Sequence, residues 1–171
     1  KTPDPRNSYL TKEYNNANKL TIVLLIIYLI AIIWILLFKL GVRFSYMENR
    51  VVNLIPFREP LFLNGKMDFG ETTLNVIIFI PLGIYAGVLF RSWNLRRKIY
   101  CFFLTSLIIE SLQFIFRIGA FDITDTITNT FGGLIGFIIL KTIEKFFVNS
   151  VKVQKFINML ATIGTALMII L

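Results

Sequence analysis

The chain has 171 residues, 56% of them hydrophobic, and a net charge of +8. That apolar share exceeds what a soluble domain of this length carries. It has no histidine and one cysteine, Cys101, which excludes zinc-metalloprotease motifs, His-dependent nucleophile triads, histidine-dependent lipid phosphatases and any intrachain disulfide.

The apolar residues fall in blocks of about 16–21, close to the length that crosses a hydrocarbon core about 30 Å thick. The expected fold class is therefore all-α: a polytopic transmembrane helix bundle of four to five helices, with a long extracytoplasmic loop after the first helix. The basic residues flank these blocks instead of forming one soluble face. They read as topology signals and contacts to anionic membrane lipids, and no nucleic acid partner is expected.

Residues 1–19 form a polar tail with Pro3 and Pro5 near its start. Residues 20–40 predict the first membrane helix. It is too long for a cleaved leader and no small-x-small site follows it, so it is expected to stay as an anchor. Residues 41–73 predict a long loop with apolar patches at 51–57 and 61–63, suited to lying in the interface or folding back onto the bundle. Residues 74–90, with Pro81 inside, predict the second helix, kinked where its neighbours compensate. Arg91, Arg96, Arg97 and Lys98 follow as a basic loop. Residues 99–116 predict the third helix, 117–125 a tight turn, and 126–143 the fourth helix. A fifth apolar block at 156–171 is short for a full crossing, and its Ala161 and Gly164 suit close packing on a neighbour. The division is thus a cytoplasmic polar tail at 1–19, a transmembrane domain at 20–143, and a basic connection with a fifth helix at 144–171.

Charge asymmetry orients this plan. The tail, the 91–98 loop and the 141–155 connection hold 12 of the 18 Lys and Arg residues, with only Asp4, Glu13 and Glu144 opposing them. The other side balances six basic against six acidic residues. The positive-inside rule then places the amino terminus in the cytoplasm and the 41–73 and 117–125 loops outside.

Glu110 is the residue that demands a reason, because a carboxylate near the bilayer centre costs about 2.5–3.5 kcal/mol on insertion scales. Glu110, Gln113 and Arg117 stand at i, i+3 and i+7, one stripe of the third helix. Asp122, Asp125, Asn129, Gly132 and Gly136 repeat at three or four residues on the fourth. A tight turn makes the two helices antiparallel neighbours, so the stripes can meet. Asn75, with Phe79 and Gly83 on its face, enters from the second helix. The candidate pocket is Asn75, Glu110, Gln113, Arg117, Asp122, Asp125 and Asn129, and Gly83, Gly132 and Gly136 are candidates for close helix packing. A structural reading stands beside this one: Asp122 and Asp125 can cap the fourth helix, and Arg117 can pair with Asp122 or Glu110. Ser106 and Ser111 lack a nearby base and read as bonding carbonyls within their helix. Metal-dependent CDP-alcohol phosphotransferases need a glycine where Thr126 stands, so neither metal nor cofactor is expected.

These residues also carry a resemblance. Glu110-Ser-Leu-Gln113, Arg117, Phe121-Asp122-Ile-Thr-Asp125, Asn129-Thr-Phe-Gly132-Gly133 and Gly136 resemble the signature of the VanZ-like family. Asn75-Val-Ile-Ile-Phe79-Ile-Pro81-Leu-Gly83 and Asn53-Leu-Ile-Pro56-Phe57 do so as well. The likeness covers roughly residues 20–140, with Arg117 offset by Ile118-Gly119-Ala120 from where the family often has it. The resemblance implies a protein of the bacterial cell (inner) membrane. It also implies a role in glycopeptide resistance, lowering sensitivity to teicoplanin, or a general envelope role.

The leading expectation is a non-enzymatic protein whose outward pocket binds an amphiphile, either a lipid-linked cell-wall precursor or a lipoglycopeptide. Arg117 would meet phosphate or carboxylate, the acids would hold Arg117 or bond sugar and amide groups, and the apolar 51–57 patch would shield the site. Two alternatives stay open. One is a membrane enzyme on a lipid-linked substrate with Glu110 or Asp125 as acid or base. The other is an assembly subunit whose pocket docks a partner helix.

Overall fold

The computed structural model describes residues 5–35, 52–57, 62–63, 66–67, 70–116, 121–147 and 149–170. Five helices dominate: α1 (Pro5–Trp34), α2 (Gly70–Leu89), α3 (Leu95–Ile115), α4 (Ile123–Phe146) and α5 (Ser150–Ile170). Four two-residue strands accompany them: β1 (Val52–Asn53), β2 (Phe62–Leu63), β3 (Lys66–Met67) and β4 (Phe121–Asp122). Stretches of α1 to α4 are long and apolar enough to cross a membrane. The protein is a multi-pass helical membrane bundle.

The helices outrun their apolar blocks, for local reasons. α1 starts at Pro5, the first helical position, where a missing N–H costs nothing. From Pro5 on, the polar tail is therefore a helical extension of the first span, while residues 1–4 and the end expected at residues 36–40 lie outside the described residues. Asn94 caps α3, its side-chain oxygen accepting from Arg97 N at 3.0 Å. Asn149 does the same for α5, accepting from Val151 N at 2.8 Å, so that helix begins at Ser150 instead of 156. Its first half consequently carries Lys152, Gln154, Lys155 and Asn158, and it is not among the four helices apolar enough to cross.

α4 packs chiefly on α2 and next on α3, while α1 joins α5 and α2. The α2–α4 contact is set by glycine. A Cβ at Gly136 would sit 1.9 Å from the Ile80 carbonyl oxygen, one at Gly132 2.2 Å from that of Val76, and one at Gly83 1.9 Å from that of Gly133. Backbones that close admit no side chain between them, which is the small-residue packing that suits a lipid solvent. Phe79 and Phe102, both fully buried, fill the space beside these glycines.

Proline in α2 is accommodated by a neighbour. Pro81 lacks the donor for the Ile77 carbonyl. The next carbonyl, Ile78, takes the Tyr28 hydroxyl at 2.7 Å. A second helix thus supplies a donor beside the break, the usual remedy in hydrocarbon.

The α1–α5 seam is polar. Gln154 donates to Asn18 Oδ1 at 2.7 Å and to the Thr21 hydroxyl at 2.8 Å. The Asn158 amide donates to the Ala17 carbonyl at 3.0 Å, and its Oδ1 lies 2.9 Å from the Thr21 hydroxyl. Thr21, Gln154 and Asn158 are all buried. Lys155 pairs with Glu13 at the same end. Nearby, Arg91 reaches Glu144 at 3.4 Å and Ser150 O at 3.4 Å. Lys98 and Lys141 both stand over the Phe137 ring, at 5.2 and 5.5 Å from its centroid. One end of the bundle therefore gathers the tail, the basic 91–98 segment, whose Arg96, Arg97 and Lys98 form the first turn of α3 instead of a loop, and the start of α5.

Candidate functional site

The opposite end is where the first loop returns. β1 pairs in parallel with β4, Val52 opposite Phe121 and Asn53 opposite Asp122. The apolar patch thus folds back on the bundle, with Val52, Leu54, Ile55 and Phe57 exposed. Side chains secure the join: Asn53 Nδ2 donates to Asp122 Oδ2 at 3.0 Å, and Phe57 N donates to the Thr124 hydroxyl at 3.0 Å. Phe57 has φ 57°, a left-handed conformation that is costly for a bulky residue by roughly 1–2 kcal/mol. The Thr124 bond helps to hold it there.

Asp122 is the N-cap of α4, its Oδ1 accepting from Thr124 N at 2.7 Å. The capping role weighed from sequence is present, and the same carboxylate also binds Asn53 through its other oxygen. Behind it, the Asp122 backbone N–H donates to Glu110 Oε2 at 3.4 Å. Glu110 is only 2% exposed. About one turn deeper along α3 and two along α4, Asn129 Nδ2 donates to the Ser106 hydroxyl at 2.9 Å, with both residues fully buried.

These two contacts step in opposite directions along the chain, so α3 and α4 run antiparallel. Thr126, fully buried, lies between them on α4. The contacts of α2 with α4 step in the same direction, Val76 at Gly132 and Ile80 at Gly136. Asn75, 1% exposed, therefore stands one turn above Phe79, near the level of Asn129. The result is a polar column: Asn53, Asp122 and Glu110 at its mouth, Thr126 in the middle, Ser106, Asn129 and Asn75 below, and Phe79 and Phe102 as its floor. Asn75 Nδ2, Thr126 Oγ1 and Asn129 Oδ1 have no hydrogen-bond partner among the described residues. Such atoms are costly in an apolar medium unless something meets them.

Gln113 and Asp125 are half-buried, each engaged in an interaction of its own. Arg117 lies outside the described residues. Among those described, no group of three or more His, Cys, Asp and Glu residues could hold a metal ion.

Sequence reasoning passed over three members of the column. Ser106 was expected to bond its own helix, as Ser111 does to Leu107 O at 2.7 Å, but it faces Asn129. It stands four residues before Glu110, a spacing that could have revealed it. Thr126 falls between Asp122 and Asn129 on the same stripe. Asn53 stands in the Asn53-Leu-Ile-Pro56-Phe57 segment that carries the resemblance, but no spacing ties it to Asp122, since only the β1–β4 pairing brings the two together.

The model of the VanZ/LLP1 family matches residues 25–147, which include every residue of this column. The chain belongs to the VanZ/LLP1 family. A curated relative, Protein VanZ from Enterococcus faecium, is 44% identical over 117 residues, covering 66% of this chain and 68% of that protein. No solved structure matches. The VanZ/LLP1 match begins inside α1 at residue 25 and ends at Phe147, so α5 lies beyond it, and the polar seam lies outside it on both sides, with Asn18 and Thr21 before it and Gln154 and Asn158 after it.

Proposed function

We propose that this protein acts at the outer face of a bacterial cell membrane, with its amino terminus cytoplasmic. There its polar column receives the polar part of an amphiphile, a lipid-linked cell-wall precursor or a lipoglycopeptide. In this reading it contributes to teicoplanin resistance or to envelope homeostasis without catalysing a reaction. The observation that carries it is Glu110, buried to 2% exposure in a membrane helix at the mouth of a column with unpartnered donor and acceptor atoms. Buried polar groups in membrane helices are expensive and mark functional sites by default.

The chemistry suits a head group rather than a metal. Asn75 offers a donor, Asn129 an acceptor and Thr126 a hydroxyl able to do either. Sugar hydroxyls and amides complement that set. The carboxylates of Glu110, Asp122 and Asp125 add charge-assisted bonds or hold Arg117 in place for an anionic group. The basic opposite end supports the orientation.

The test is drug susceptibility in a sensitive Gram-positive host at matched membrane abundance. Wild type is expected to protect against teicoplanin and not against vancomycin, and Glu110→Gln and Asp125→Asn to lose that protection. Undiminished protection in both variants would overturn the reading.

A further inference from the structure

A hollow lies between α1, α2 and α5, away from the polar column. Its volume is about 420 Å³, and its walls include Tyr28, Ile32, Pro81, Leu160, Ala161 and Gly164. The α1 and α2 walls belong to the membrane-crossing stretches Lys12–Trp34 and Thr72–Leu89. The one donor of Tyr28 is already taken by the Ile78 carbonyl at 2.7 Å.

Gly164 discriminates between a packing seam and a site. At Gly83, Gly132 and Gly136 an added Cβ would strike a neighbouring backbone within 2.2 Å. At Gly164 it would meet nothing within 4 Å. The small residues of α5 therefore do not bring a helix close, as the sequence suggested; they keep a groove open.

We propose that this groove seats one acyl chain of a membrane amphiphile. Its lining loses contacts when nothing fills it, and in a bilayer the chemistry that matches an apolar wall is a methylene chain. Taking a methylene as about a water's share of liquid volume, ~30 Å³, the groove holds on the order of fourteen, the scale of a fatty chain. Residues of three helices line the groove, whereas Leu104 and Ile108 lie exposed on α3 alone. The proposal concerns hydrocarbon alone and stands whether or not the polar column binds a head group.

The test uses the full chain in phosphatidylcholine–phosphatidylglycerol vesicles. The probe is a phospholipid bearing a photoactivatable diazirine in one acyl chain, with adducts mapped by mass spectrometry. Adducts are expected to concentrate on the groove segments of α1, α2 and α5. Gly164→Phe, which grows into open space, should lower them about fivefold, equivalent to ~1 kcal/mol of binding. Adducts at the exposed Leu104 and Ile108 of α3 should not change. Ala161→Leu, a smaller filler, should act in the same direction and serves if the larger side chain disturbs folding. Even labelling over all lipid-facing helices, or groove labelling untouched by both fillers, would show ordinary surrounding lipid only and overturn the proposal.

Discussion

The α2–α4 seam and the α1–α5 seam join helices by opposite means. The first brings backbones together over Gly83, Gly132 and Gly136 and leaves no room for an atom more. The second keeps side chains between the helices and links them through Asn18, Thr21, Gln154 and Asn158. The first belongs to the region shared with the family, and every residue of the second named here lies outside it, Asn18 and Thr21 before it and Gln154 and Asn158 after it. The contrast separates a part whose geometry is fixed by contact from a part whose pairing is fixed by hydrogen bonds. The polar column sits against the rigid seam and the acyl groove against the hydrogen-bonded one.

The largest expected effect breaks the rigid seam. Gly136→Ala places a methyl 1.9 Å from the Ile80 carbonyl. It should destabilise the protein by about 3 kcal/mol or more, the upper range for overpacking, measured by reversible unfolding in mixed micelles. A loss below 1 kcal/mol would mean that α2 and α4 separate easily. The polar seam should be softer. Asn158→Leu removes the bonds to Ala17 and Thr21 and should cost about 1–2 kcal/mol, the scale of interhelical bonds in membranes. Protease accessibility of the 147–149 connection should rise with it, while the α2–α4 contact persists. The smallest effect is Gly164→Ala, which should stay within about 0.5 kcal/mol of wild type. A larger cost there would show that the groove is closed.

The helices were legible from the apolar blocks because membrane thickness fixes their length. Their ends were not, since Asn94, Asn149 and Pro5 extend them into polar sequence that hydropathy discounts. The strip from Asp122 to Asn129 and the stripe ending at Glu110 were readable as helical spacing. Asn53 was not, because its approach to Asp122 depends on a strand pairing between residues about seventy positions apart. Thr21, Gln154 and Asn158 were passed over for a related reason. Gln154 and Asn158 stand four residues apart on α5 and Thr21 on α1, where its hydroxyl also donates to the Ala17 carbonyl, and only the packing of α1 on α5 joins the side chains of the two helices. Gly164 misled in the other direction, since spacing alone cannot tell a small residue that admits a helix from one that leaves space.

The polar seam has a consequence for how the chain is assembled. Residues are made and inserted in order, so Asn18 and Thr21 enter the membrane with α1, ahead of α2 to α5. Their partners Gln154 and Asn158 are synthesised more than 130 residues later. Through the insertion of α2, α3 and α4 the Asn18 side chain lacks the Gln154 donor, and the Thr21 hydroxyl has only the Ala17 carbonyl of its own helix, 2.8 Å away, until α5 arrives. A nascent chain stopped before α5 would display Asn18 and Thr21 to the membrane without their α5 partners, a ready mark by which quality control could recognise it as incomplete.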